Sequence, residues 1–100
     1  MDIYYLKDHM FEEVSGAKDY MRKAIYLKQK HPDRSKQFYD MANMELEHAR
    51  ALYKMFCEDY KQINSDPALE AYMEPFKKSA DDCFMEKIGT VKYMQETYTK

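Results

Sequence analysis

No tryptophan, two glycines, three prolines and two cysteines occur in these 100 residues, and each scarcity removes a class of structure. So little glycine and proline, beside abundant Ala, Lys, Glu, Met and Leu, argues for an all-helical chain. Cys57 and Cys83 have no CxxC spacing and are too few for a disulfide framework, so two buried free thiols are expected. No stretch approaches the ~20 apolar residues of a membrane span. Residues 1–8 lack the basic-then-apolar pattern of a leader, which gives the expectation of a cytoplasmic chain with no membrane partner. Nor is there an excess of one charge: 18 acids against 16 bases leave a net −2. The bases are interleaved with the acids, so nucleic acid is not an expected partner.

What remains is helical material in one domain spanning 1–100, long enough for a modest core and short enough that a second chain would help to cover it. Helix 1 is predicted from about Ile3 to Lys30, stopping before His31-Pro32-Asp33, where the proline disfavours helical geometry at His31. Helix 2 is predicted over about 34–62, with Asp33 or Ser35 as N-cap and an end in Asn64-Ser65-Asp66. Asp66-Pro67 opens helix 3, predicted to about Tyr98 and kinked or restarted at Pro75. The short turn near 31–33 makes helices 1 and 2 an antiparallel hairpin.

Two acids interrupt the apolar stripes of that hairpin. On helix 1, Ile3, Leu6, Met10, Glu13, Ala17, Tyr20, Ala24 and Leu27 alternate in steps of three and four; on helix 2 the same pattern runs through Phe38, Ala42, Glu45, Ala49, Leu52 and Phe56. His48 flanks Glu45 one turn on. A buried carboxylate without a partner costs several kcal/mol or more, so such a residue is paired, protonated or bound to a cation. Glu13 stands about 18 residues before the turn and Glu45 about 13 after it, an axial mismatch of under ~8 Å that helix tilt and an asymmetric turn can absorb. Glu13, Glu45 and His48 are therefore expected to converge on a metal, against the plainer reading of a solvated carboxylate and a hydrogen-bonded core histidine.

These three residues carry a resemblance. Glu13-Val14-Ser15-Gly16-Ala17-Lys18-Asp19-Tyr20, followed about thirty residues later by Glu45-Leu46-Glu47-His48, resembles one half of a ferritin-like di-iron carboxylate bundle of rubrerythrin type. The likeness covers roughly the first 60 residues. A complete member carries another Glu and another Glu-x-x-His, whereas this chain's other histidines are His9 and His31. In this respect it is similar to encapsulated ferritins and to short ferritin-like proteins of phage type, which pair chains. The resemblance implies a hairpin completed to a four-helix bundle by homodimerisation, with two copies of Glu13, Glu45 and His48 around two iron ions per dimer. Manganese or zinc are the alternatives, and bridging glutamates would hold the metals roughly 3.5–4 Å apart. It further implies ferroxidase or oxidase activity, with Glu13, Glu45 and His48 as both ligands and catalytic residues.

Other residues have lesser claims. Tyr20 is a candidate hydrogen-bond partner for a ligand carboxylate, or an ordinary core tyrosine. His9, one turn before Glu13, is a candidate extra ligand or a residue on the metal's way in. Glu12 is expected on the solvated flank, Glu47 outward and His31 on the surface. Glu70, Glu74 and Asp81 fall at the edge of helix 3's apolar face, where they offer a less favoured way to complete the site within one chain. The competing function is a non-enzymatic helical oligomerisation or interaction module with an empty or structural metal site. A cargo protein within a larger shell is a third.

Overall fold

A computed structural model of the chain describes residues 2–63 and 66–100. Among them all regular structure is helical, in three long elements: α1 (Ile3–Leu27), α2 (Pro32–Ile63) and α3 (Pro67–Thr99). Asp2 opens α1 by accepting the Tyr4 N–H at 2.8 Å. Asp66 opens α3 in the same way, accepting the Ala68 N–H at 3.0 Å ahead of a first-turn Pro67. Both side chains satisfy donors that the first helical turn leaves free.

The hairpin turn is where the boundaries differ from those read in the sequence. α1 stops at Leu27, three residues before Lys30, and the chain reverses through 28–31 on bonds from Lys28 N–H to the Ile25 carbonyl (3.4 Å) and from His31 N–H to the Leu27 carbonyl (2.8 Å). α2 then begins at Pro32, because proline's fixed φ and missing N–H suit a first helical position. Asp33 and Ser35 consequently lie inside the first turns and do not cap them. Asp33 places its charge at the positive end of the helix dipole. The predicted end of α2 involves Asn64 and Ser65, which lie outside the described residues. Pro75 does not divide α3, which is assigned as one helix through it.

Contacts along α3 fix its course. Tyr4 meets Phe76 with ring centroids 4.9 Å apart, Phe11 meets Phe84 at 6.4 Å, and the Lys28 ammonium donates to the Tyr98 carbonyl, so α3 runs parallel to α1. Against α2 it is antiparallel: Phe56 packs on Phe76, Tyr53 stacks on Phe84 at 4.5 Å, Gln95 Nε2 donates to Asn43 Oδ1 at 2.7 Å, and Tyr39 stacks on Tyr98. Ser35 ties all three helices together. Its buried hydroxyl donates to the Ala24 carbonyl and accepts from the Tyr98 hydroxyl at 2.9 Å.

The core is built from Leu6, Met10, Val14, Met21, Leu46, Phe56, Phe84 and Val91, with Ala17, Ala24, Ala42 and Ala49 letting α1 and α2 approach closely. Each large side chain removed from water contributes about 1.5–3 kcal/mol. Most of the expected stripe is covered, through Ile3, Leu6, Met10, Ala17 and Ala24 on α1 and Ala42, Ala49 and Phe56 on α2, but at three places the neighbour is covered instead: Val14, Met21 and Leu46 are buried where Glu13, Tyr20 and Glu45 were expected, and these three are half-buried. The cause is α3. A two-helix stripe faces one neighbour, but here the core of each hairpin helix must also meet the third helix, so its centre rotates that way and Glu13, Tyr20 and Glu45 move to the opposite edge. The Cα envelope is a slab of 56 × 20 × 14 Å with a radius of gyration of 16.3 Å, against about 13 Å for a globular domain of this length.

Candidate metal centre

Glu13, Glu45 and His48 meet on the hairpin edge away from α3. Glu13 projects from the middle of α1, while Glu45 and His48 stand one turn apart on α2. One donor atom from each lies within 4.8 Å of the other two. Glu13 Oε2 is 3.9 Å from His48 Nδ1, and Glu13 Oε1 is 3.3 Å from His9 Nε2. Glu13 is therefore the hub, with one carboxylate oxygen turned to each histidine. Its side chain is 19 % exposed, that of His9 36 % and that of His48 58 %.

The donors suit a divalent cation. Ligand atoms at about 2.1 Å from one ion stand about 3.0 Å apart when adjacent and about 4.2 Å when opposite, so the set has to contract slightly to close on a metal. Side chains of this length on an open edge can do so by rotation alone. Two carboxylates and an imidazole form a mixed, mostly hard donor set, appropriate to iron, manganese or zinc.

Electrostatics reinforce that fit. The Glu45 carboxyl is pushed from its usual 4.5 up to about 7, first by a hydrogen bond with Glu13, then by burial and by the Glu13 charge, with His48 pulling the other way. Two carboxyls this close share a proton in preference to both ionising. A cation between them would replace that proton, so the same geometry that strains the ionised pair favours metal.

The remaining sequence candidates fall in different places. His9 reaches Glu13 and forms a tilted pair with Tyr5, ring centroids 5.7 Å apart. Tyr20 shares the edge but stacks on Phe38 with Lys23 over both rings, and no hydrogen bond among the described residues joins it to Glu13 or Glu45. Glu12, Glu47 and His31 are exposed.

Asp81 is engaged elsewhere, accepting from Tyr53 Oη at 2.8 Å and from Lys77 Nζ at 2.7 Å. Burial is the largest influence on Lys77 and works against its charge, yet the hydrogen bond to Asp81 and the interactions with Cys57 together outweigh it, so the ammonium titrates above its ordinary range. Burial and the bond to Asp81 also push the Tyr53 phenol up. Glu70 and Glu74 are exposed near the start of α3. Cys57 and Cys83 are free thiols, half-buried instead of fully covered.

One residue of the centre was not singled out from sequence. Gly16 faces Glu45 across the hairpin, and a Cβ built on it would stand 3.0 Å from Glu45 Oε2. Its signal was a glycine in mid-helix, three residues after a core carboxylate.

Compared with known proteins, the chain matches no family model, no curated protein and no solved structure.

Proposed function

We propose that this is a metal-binding protein of ferritin-like type, in which two chains pair through the hairpin edge to enclose a di-iron or di-manganese carboxylate centre with ferroxidase or related oxidase activity. The observation that carries the reading is the convergence of Glu13, Glu45 and His48 from two helices onto one point of an edge that α3 leaves uncovered. One chain offers too few donors for a six-coordinate ion. Two chains related by a two-fold axis would bring four carboxylates and two imidazoles together, and an isologous contact is the commonest way to pair identical surfaces. Helical spacing puts Met41, Met44 and Met55 on the same face of α2 as His48, and they are 38, 56 and 46 % exposed.

Bound iron would supply electrons to dioxygen or peroxide. The chain's own residues bind, orient and move protons. Glu13 is the shared anchor of the donor set. Glu45 gives up its proton as the cation arrives and serves as a local acceptor when the cation leaves, a role suited to a carboxyl titrating near 7. His48, outermost of the three, meets an incoming ion first. His9 holds the second oxygen of Glu13 and so fixes the rotation of its carboxylate.

A second reading has an observation of its own. Glu13 already has His9 Nε2 at 3.3 Å and His48 Nδ1 at 3.9 Å, and a proton shared with Glu45 lowers the charge of the carboxyl pair, so the cluster can serve a helical interaction module without a metal. Aerobic Fe(II) oxidation decides between them. The metalloprotein oxidises Fe(II) well above the buffer rate, and Glu45→Ala removes most of the difference. A wild-type rate equal to buffer favours the module.

A further inference from the structure

We infer that Gly16 is a positioning residue of this centre: its missing side chain leaves the space into which the Glu45 carboxylate reaches from α2. The inference rests on the metal-binding reading above.

Glycine inside a helix is less favourable than alanine because more backbone freedom is lost on folding. Gly16 lies in the middle of α1, and no described glycine has a positive φ, so the backbone gives no reason for it. Helix approach gives none either. Ala17, Ala24, Ala42 and Ala49 are fully buried, so methyl groups fit within the hairpin, and no backbone atom of α2 is among the three atoms nearest to a Cβ at Gly16.

What a Cβ at Gly16 would meet is one side chain. Its three nearest atoms are Glu45 Oε2 at 3.0 Å, Cδ at 3.6 Å and Cγ at 3.8 Å. The other glycine provides an internal comparison, since a Cβ at Gly89 in α3 meets nothing within 4 Å. Relieving the contact at Gly16 requires the carboxylate to give by a few tenths of an ångström. In the metal-free protein the end of a flexible side chain does this easily. In the loaded centre ligand distances hold to about 0.2 Å, so the same displacement is felt as lost affinity.

Anaerobic Fe(II) titration calorimetry and thermal melts of the metal-free full chain test this with wild type, Gly16→Ala, Gly89→Ala, Glu45→Ala and the Gly16→Ala/Glu45→Ala pair. Both glycine substitutions should raise the metal-free melting temperature by a few degrees. Gly89→Ala should leave Fe(II) affinity unchanged, and Gly16→Ala should lower it about tenfold. In the Glu45→Ala background Gly16→Ala should cost nothing further, because it acts through that carboxylate. Wild-type affinity in Gly16→Ala, an additive loss in the pair, or a metal-free Gly16→Ala protein less stable than wild type would each overturn the positioning role while leaving the metal reading intact. A wild-type chain that binds no Fe(II) overturns both.

Discussion

At Glu45 a hydrogen bond to Glu13, partial burial and the Glu13 charge all favour the neutral acid, which gives the metal-free protein a defined pH response. The folded carboxyl titrates at about 7 and the unfolded one near 4.5. A pKa raised by folding stabilises fully below the unfolded value, and the contribution is lost as pH rises through the folded one. Metal-free protein should therefore lose stability between about pH 4.5 and 7. The carboxyl is open enough to water that the loss should be about 1 kcal/mol. Metal reverses the trend because it binds the ionised ligands. The melting-temperature gap between loaded and metal-free protein should widen from pH 5.5 to 7.5, and Glu13→Gln or His48→Ala should shrink it. A gap that stays flat across that range would remove the carboxylates from the site. Face assignment gives a sharper comparison: Glu45→Ala should abolish most Fe(II) oxidation, whereas Glu47→Ala, on the exposed side of the same turn, should not. Similar losses for the two would contradict the placement.

Among the elements, Ser35 has a structural role that its position in the chain concealed. As a sequence signal it looked like a helix cap, yet its hydroxyl joins the Ala24 carbonyl of α1 to Tyr98 of α3. Ser35→Ala should cost about 1–2 kcal/mol, because it orphans a phenol at a three-helix junction, and calorimetric melting should fall by about 4–12 °C. A change under 1 °C would mean that water replaces the hydroxyl. The helices themselves were legible because apolar spacing, Asp-Pro capping and scarce glycine agree along the chain. The turn was less so: Pro32 serves equally as the breaker of one helix and the first residue of the next, and only the tertiary fold selects between those uses. The stripes of α1 and α2 were read correctly at most positions but one residue off at Glu13, Tyr20 and Glu45, for a related reason. Periodicity locates a face, but the partner that rotates it, here α3, lies some forty residues further along the chain. Glu13, Glu45 and His48 could still be picked out together, since a tilt of one position moves a residue from the centre of a stripe to its edge and no further. Gly16 could not, because its meaning lies in a side chain on the neighbouring helix.

For the whole molecule the decisive feature is asymmetry. α3 covers one side of the hairpin through Phe76, Phe84 and Tyr98, and the opposite edge carries the carboxylate–histidine cluster, with the exposed Met41, Met44 and Met55 on the His48 face of α2. A slab this thin leaves that edge in water unless a second copy covers it. Replacing Met41 and Met55 with Glu should push the protein towards monomer and, by separating the two half-sites, reduce Fe(II) oxidation without unfolding the helices, as circular dichroism would report. The central claim is that metal and pairing are one property. It is tested most directly by native mass spectrometry of iron-loaded protein, which reads chain number and metal number in a single ion. The account predicts a dimer, or a multiple of dimers, carrying two metals per pair, with metal occupancy reduced in Glu45→Ala. A monomer holding its full metal complement, or a dimer that takes up no metal, would contradict it.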